Sequence, residues 1–349
     1  MNEMRLLVLG GTSFVGRAVV VEALRRGHQV TTFNRGHTMP DVLGVHVLRG
    51  DRSSVEGLGI LTGRRFDAVI DPGGQVPVQI LHAAQALHRT VPFYAYVSSA
   101  AVYRDWTRLP WTEDAHTHPG VADDDGDPAD MLTLGPRKAG CELAVRQLYG
   151  DDAALVVRPG LIVGPYDNIG MLPWWLSRIH HGGRVLAPGA PQRPLQLIDA
   201  RDLANFLLDR VEGQQGGVFN TMPNKPVNTI GECLQSCVAT TGGSTQLTWV
   251  DDDFLLEHGA MPWNELPFWL PAEPNPAAAW PIDASAARVA GLRCRPLGDT
   301  VHDTWNWLRS GGMVRPGPGT PTTGINADKE LRILQEWANS VASIKGNAV

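Results

Sequence analysis

The chain has 349 residues, with 30 Lys and Arg against 36 Asp and Glu and a formal net charge of −6. With no basic cluster it offers no electrostatic footprint for nucleic acid or an anionic membrane, and no run approaches the roughly 18 apolar residues of a membrane span. Met1-Asn2-Glu3 lacks a signal peptide's basic opening, and Cys141, Cys233, Cys237 and Cys294 are widely placed without a histidine pair at ligand spacing, so a cytoplasmic protein with buried reduced thiols and no metal is expected.

Leu6-Leu7-Val8-Leu9 is the short apolar run of a parallel strand covered on both faces. Gly10 and Gly11 then allow a turn that a side chain would block. A helix follows from Phe14, with Val15, Val19, Val20, Ala23 and Leu24 on one face and Gly27 at its close. Gly16 falls in its first turn, where a lone hydrogen lets helix and sheet, or helix and phosphate, approach closely. The backbone N–H groups of that helix start (Thr12, Ser13, Phe14, Val15) suit a pyrophosphate. In the context of strand, turn and amphipathic helix, the glycines point to a dinucleotide site.

Gln29–Phe33 is a second predicted strand. It ends in Asn34-Arg35-Gly36, about twenty residues past the glycine turn, where an acidic residue would bind the ribose diol of NAD. Asn34 is neutral and Arg35 carries a planar cation, which suits a 2′-phosphate, so the cofactor is NAD or NADP with NADP favoured. Val45–Leu48 is a third strand, with Asp51 beyond it at the adenine edge. Asp67–Ile70 is a fourth, followed by Asp71-Pro72-Gly73-Gly74, a loop that lets backbone approach the cofactor. Ile80, Ala83, Ala84 and Leu87 mark a helix, and Phe93–Val97 a fifth strand. Strand and helix alternate to about residue 158, as in a Rossmann-type doubly wound parallel sheet.

The second half is dense in Pro, Gly and Trp. Helices are predicted at Asp202–Val211, Thr229–Thr240, Ala284–Ala290 and Asp299–Leu308. Short strands lie at Leu195–Ile198, Val218–Asn220 and Leu247–Val250. The pattern gives a dinucleotide-binding domain over 1–165, to which about 195–230 returns, and a smaller, loop-rich substrate lobe over 166–310. Ser310–Gly324 reads as a linker, and Ala327–Ala342 as a final helix. The acidic run Asp123 to Asp127 fails calcium-loop spacing, because Val121 stands where the first ligand should be.

Gly10-Gly11-Thr12-Ser13-Phe14-Val15-Gly16, Tyr96 to Tyr103 and Gly135 to Glu142 resemble the extended and atypical short-chain dehydrogenase/reductases, the epimerase/dehydratase superfamily. Arg158 to Pro165 and Ile198 to Ala204 extend the resemblance, which runs from about residue 4 to 309. Asn34-Arg35-Gly36 with Gly50-Asp51-Arg52 resembles bacterial proteins grouped with the isoflavone-reductase-like and chloroplast stem-loop RNA-binding proteins. The resemblance implies that Ser99 hydrogen-bonds the reacting oxygen and that Lys138 holds the nicotinamide ribose. It adds Arg52, Ser98, Pro159, Gly160 and Leu161 to the cofactor-binding residues, and it places Ala100, Tyr103 and Leu134 beside the substrate.

The family's tyrosine should stand four residues before Lys138, and that position is Leu134. Leucine exchanges no proton, so a tyrosinate base is absent. Three readings compete: Lys138, Tyr103 or Tyr166-Asp167 supplies the proton, the substrate supplies it, or the protein binds the dinucleotide without chemistry. Ala100-Ala101 replaces the Asp-Glu pair of sugar 4,6-dehydratases, and Leu195 replaces the arginine that grips a nucleotide sugar's diphosphate, with Arg193 two residues off. A smaller hydroxylated or ring-bearing substrate is expected, on which Trp174, Trp175, Trp263 or Trp269 stacks unless they pack the lobe's core. The reading is an NAD(P)-dependent oxidoreductase acting on a secondary alcohol or carbonyl, either by net reduction or as a redox-neutral epimerase or dehydratase of a sugar or nucleoside. It takes a small-molecule substrate and no nucleic acid or membrane, as a monomer or homodimer. The alternative is a non-catalytic dinucleotide-binding or RNA-binding protein.

Overall fold

The structure is a computed structural model that describes residues 3–105, 110–223, 228–271, 282–316 and 322–346. The chain divides into two compact units. One comprises Met1–Ile162, Leu197–Lys225 and Pro281–Arg295, and the other Val163–Gln196, Pro226–Trp280 and Pro296–Val349.

In the first unit β1 (Arg5–Leu9), β2 (Gln29–Asn34), β3 (His46–Arg49), β4 (Ala68–Asp71), β5 (Tyr94–Val97) and β6 (Ala154–Pro159) join Gly217–Thr221 in a parallel sheet. Among the described residues it has seven strands, in the order Gly217–Thr221, β6, β5, β4, β1, β2, β3. The order reverses between β1 and β4, and in such sheets the crevice outside the carboxyl ends at that reversal is where ligands bind. Leu6 to Leu9 are all buried because helices cover both faces. The helices that follow β1, β3, β4 and β5 are α1 (Phe14–Arg25), α2 (Val55–Gly59), α3 (Pro77–Leu87) and α4 (Leu134–Ala153). One face of the sheet packs Leu7, Leu9, Phe33, Val69 and Tyr96 against Ile80, Ala84, Cys141 and Val145. Gly140 permits the closeness of α4, since a Cβ there would lie 2.5 Å from Val121 O and 2.8 Å from Pro77 Cγ. Near its end Gly150, at φ 68°, breaks the helix.

Strand and helix limits shift by a residue or two from those predicted, and the last helix runs four residues further, to Gly346. The short helix α2, capped by Ser54 Oγ on Gly57 N, has too few apolar repeats to register as periodic. The expected strand Leu195–Ile198 is interrupted at Gln196: Pro194–Leu195 pairs antiparallel with Asn228–Thr229, whereas Leu197–Asp199 is in the first unit. Residues 281–295 also return to that unit. There Ile282 bridges to Trp111, and the Arg295 guanidinium reaches the Asp202 carboxylate at 2.7 Å.

The second unit pairs Gly183–Pro188 with Thr245–Val250 in parallel and surrounds them with the helices Met171–His180, Ile230–Thr241, Leu297–Arg309 and Ala327–Gly346. The last of these is integral to the unit rather than a separate tail. Its Glu330, 3% exposed, accepts from Leu186 N on the paired strand at 3.0 Å and pairs with Arg178 at 2.7 Å. Residues 317–321 of the expected linker lie outside the described residues.

Candidate functional site

The glycine turn sits at the carboxyl end of β1. Gly10 and Gly11 have φ of 124° and 93°, values that disfavour any side chain. A Cβ on Gly16 would lie 2.9 Å from Gly11 N, 3.1 Å from Gly11 Cα and 3.2 Å from Pro72 Cγ, so glycine is required for α1 to enter this closely. Phe14 is buried at φ 41°, a strained backbone held by its surroundings. The N-cap, Ser13, makes no side-chain hydrogen bond to α1, and the first turn holds no acidic residue. By contrast, Asp199 caps the helix Ala200–Glu212, and a full capping box closes Ile230–Thr241. The start of α1 is thus a positive helix end with no side-chain cap beside a glycine cradle that a Cβ would fill, and this fits a pyrophosphate.

At the end of β2 the Asn34 side chain is engaged with the protein. Its Nδ2 donates to Asp41 Oδ1 at 3.0 Å, and its Oδ1 accepts from Gly36 N at 2.9 Å and from Arg49 Nη1 at 2.5 Å. Arg35 is exposed. Asp51 accepts from Ser53 N and Oγ, and these bonds, followed by the charges of Arg35 and His37, hold its carboxyl below the usual range. Arg52, expected at the cofactor, turns instead to Asp71 and donates to both carboxylate oxygens, at 2.9 and 2.5 Å. Burial pushes the Asp71 carboxyl up, but the Arg52 guanidinium outweighs it and keeps the pKa low. Asp71 also accepts from Tyr94 OH at 2.8 Å and Gly74 N at 3.1 Å, which fixes the Pro72-Gly73-Gly74 loop. Arg52 therefore shapes that loop from below.

At the end of β5, Ser99 is partly exposed. Its Oγ accepts from Ala101 N at 3.1 Å, which leaves the O–H to donate to a ligand. Ser98 is buried and donates to Glu142 Oε1 at 2.5 Å. Leu134 is the first residue of α4, one turn ahead of Lys138, and is half-buried. Lys138 is itself buried, with Nζ donating to Gly74 O at 3.0 Å, Val97 O at 3.0 Å and Tyr96 OH at 3.1 Å. Burial pushes its pKa down. Three acceptors use the three N–H bonds of an ammonium, so Lys138 here clamps the ends of β4 and β5 rather than presenting a base.

Tyr103 was a candidate proton donor, but the structure buries it completely. Its hydroxyl donates to Asn220 Oδ1 at 2.6 Å and accepts from Arg158 Nη1 at 3.2 Å. Arg158 is joined in turn to both oxygens of Glu142, at 3.0 and 2.7 Å. This chain of buried polar groups, from Ser98 to Asn220, was not anticipated: its members are far apart in sequence, and no local pattern marks them. Ala100 is likewise buried. Beyond Pro159, Gly160 lies under Met222, where a Cβ would be 2.9 Å from Cε, and Leu161 begins the next short strand.

Tyr166, Trp174, Trp175 and Trp263 belong to the second unit. Tyr166, at φ 67°, sets its ring 5.5 Å from that of Trp307. Trp175 is fully buried and donates to Pro267 O at 3.0 Å, and Trp269, also fully buried, donates to Asp252 Oδ1 at 2.8 Å; both are core side chains, not stacking platforms. Trp174 packs edge-on against Trp175 and occupies the space that a Cβ at Gly324 would need. Trp263, half-buried at φ 69°, remains partly accessible. Arg193 spends its guanidinium on Asp252 and Leu270 O. Among the described residues no group of three His, Cys, Asp or Glu is placed to hold a metal. No helix among them is long and apolar enough to cross a membrane.

The fold is that of the extended short-chain dehydrogenase/reductases of the NAD-dependent epimerase/dehydratase type. Solved structures of this shape include a UDP-N-acetylglucosamine 4-epimerase from Methanobrevibacter ruminantium in complex with UDP-N-acetylmuramic acid (18% identity, TM-score 0.67, covering 89% of this chain and 100% of that one). The Bordetella bronchiseptica enzyme WbmH in complex with NAD+ is another (17%, 0.66, 89% and 100%). No family model matches the chain. Among curated proteins, it is 31% identical over 221 residues to a 2-alkyl-3-oxoalkanoate reductase of Stenotrophomonas maltophilia, covering 58% of this chain. It is 26% identical over 259 residues to the chloroplast stem-loop binding protein of 41 kDa b from Arabidopsis thaliana, covering 69% of this chain. The matches span 64% of the length of each of these two relatives.

Proposed function

We propose that the chain is a nicotinamide-dinucleotide-dependent oxidoreductase that acts on a secondary alcohol or carbonyl of a small hydroxylated molecule. The observation that carries this reading is the start of α1, without a side-chain cap and seated against a glycine turn that admits no Cβ. Backbone N–H groups from Thr12 to Val15 would hold the pyrophosphate, the Gly10 N–H being bonded to Phe33 O, with Asn34 and Asp51 at the adenosine end and Pro72 to Gly74, Ser98 and Pro159 to Leu161 towards the nicotinamide. A nicotinamide bound there supplies hydride exchange with a substrate carbon. The chain's own part is to orient the substrate oxygen through the Ser99 hydroxyl and to keep the strand ends rigid through Lys138 and the Glu142–Arg158 pair. Leu195 stands where the resemblance places a diphosphate-gripping arginine, and Arg193 is engaged by Asp252 and Leu270 O, which supports a substrate smaller than a nucleotide sugar. A 2-alkyl-3-oxoalkanoate, from which the reductase relative takes its name, is in keeping with that size.

A second reading, dinucleotide or RNA binding without chemistry, is favoured by Leu134 and by the use of all three Lys138 donors within the protein. Mass spectrometry of what the purified protein carries, followed by nicotinamide absorbance on exposure to small alcohols and ketones, separates the two. A bound or added dinucleotide whose absorbance changes with one of them supports the enzyme. An absorbance that never changes, together with salt-sensitive RNA binding, replaces it with the second reading.

A further inference from the structure

Asp41 lies in the loop after β2, outside the residues that the glycine turn or the family resemblance brings to the cofactor. Its carboxylate accepts from Asn34 Nδ2 at 3.0 Å and from both terminal nitrogens of Arg49, at the end of β3. Arg49 Nη1 also donates to Asn34 Oδ1, so Asp41, Asn34 and Arg49 close a ring of contacts. The ring abuts the phosphate turn, because Asn34 Nδ2 is 3.4 Å from Gly10 O. Arg17 of α1 steadies the loop by donating to Pro40 O at 3.3 Å. Arg49 lies over Gly36, where a Cβ would be 3.0 Å from its Nε. This is the end of β2, where a dinucleotide's adenosine ribose is read in such a sheet.

Each carboxylate at this end faces a cation. Arg49 is paired with Asp41, and Arg35 stands in the field of Asp51. A ribose diol needs neither cation. A dianionic 2′-phosphate must take Arg49 from Asp41 and accept that carboxylate as a neighbour, which is a repulsive device against one of two otherwise similar ligands. We propose that Asp41, rather than Asn34 or Arg35, sets the cofactor preference, and sets it for NAD(H) over NADP(H) by withholding Arg49. This reverses the preference expected from Asn34 and Arg35 alone, and it rests on the reading of the glycine cradle as a dinucleotide site.

The test is calorimetric titration of the full chain with NAD+ and with NADP+, for wild type, Asp41→Asn, Arg49→Gln and the double variant. The wild type should bind NAD+ more tightly by about tenfold or more, the size of one charged hydrogen bond. Asp41→Asn should improve NADP+ binding by about tenfold with NAD+ binding within about twofold, and the gain should vanish in the double variant. Arg49→Gln alone leaves Asp41 uncompensated and should weaken NADP+ further, a readout that survives if Asp41→Asn fails to fold. A wild type that prefers NADP+, a ratio unmoved by Asp41→Asn, or a gain that persists without Arg49 overturns the proposal while the dinucleotide site stands. If the wild type binds neither dinucleotide, the site assignment falls and the proposal with it.

Discussion

Gly16→Ala is the smallest change that tests the phosphate turn. The added methyl would stand 2.9 Å from Gly11 N and 3.1 Å from Gly11 Cα, and what must give is backbone, not the end of a flexible side chain. Gly11 is itself closely packed, since a Cβ there would be 2.9 Å from both Thr32 Cγ2 and Val20 Cγ2. Overpacking of this kind costs about 1–3 kcal/mol. At roughly 2–4 °C per kcal/mol for a domain of this size, Tm should fall by several degrees while the protein stays folded. The larger effect is on binding. A shift of a few tenths of an ångström in the N–H groups facing the pyrophosphate forfeits about one charged hydrogen bond, roughly 1.5–3 kcal/mol, or a ten- to hundredfold rise in Kd. Gly16→Val should abolish binding. Gly59→Ala serves as the control, because a Cβ there meets nothing within 4 Å. The assay is dinucleotide titration beside thermal unfolding. A folded Gly16→Ala that binds within about twofold of wild type would refute the pyrophosphate assignment.

Ser99→Ala should lower turnover by about a hundredfold, the usual effect of removing a positioned donor, with dinucleotide Kd unchanged; equal turnover removes Ser99 from the chemistry. Lys138→Met removes the Nζ donor from Val97 O and leaves Gly74 O with Tyr96 OH alone, at about 1–3 kcal/mol for a buried carbonyl left unsatisfied, so Tm and turnover should fall together; native values of both would refute the clamp. Asp167, 1% exposed and accepting from Ile169 N and Gly170 N, has its carboxyl raised by burial to about 6. A raised folded-state pKa favours the protonated form. Its contribution is therefore full below the unfolded value near 3.8 and is lost as pH climbs through about 6, a swing of about 3 kcal/mol. Asp167→Asn, fixed as neutral, should gain on wild type between pH 4 and pH 8 in urea unfolding; parallel profiles would contradict this.

The sheet was legible because each parallel strand is an unbroken apolar run between turn residues, and the turn after β1 because Gly10, Gly11 and Gly16 carry their steric reason in their spacing. What escaped is long-range pairing between polar side chains. Nothing near Asp41 announces Arg49, and nothing near Arg158 announces Glu142 or Asn220, because two polar residues on different elements leave no periodic trace. The partner of Arg52 escaped for the same reason: the sequence shows a cation beside Asp51, while the fold pairs it with Asp71 on the neighbouring loop. The tryptophans were ambiguous because an indole serves equally as core or platform, and only burial decides. Trp175 and Trp269 prove to be core.

The same pairing bears on where a proton comes from. Tyr103 is locked between Asn220 and Arg158, Lys138 has three oxygens around its nitrogen, and Leu134 has nothing to exchange. Within the first unit these groups serve rigidity. The Glu142–Arg158 pair, with side chains 6% exposed on both partners, is held from Ser98 at one end and Tyr103 at the other, so both charges of the pair are hydrogen-bonded. Such a network fixes the end of β5, and with it Ser99, with the small tolerance that the proposed hydride transfer would demand. On the proposed function, a site built this way would position the reacting oxygen well and move protons poorly. A substrate that carries its own acidic group beside the carbonyl, or a redox-neutral reaction that returns its proton internally, asks least of it. Substrates whose hydroxyl or carboxyl neighbours the reacting carbon should therefore turn over faster than simple secondary alcohols of the same size. The comparison of kcat/KM across such a pair, at one pH and with saturating cofactor, decides the matter, and equal values would return the proton to a side chain of the protein.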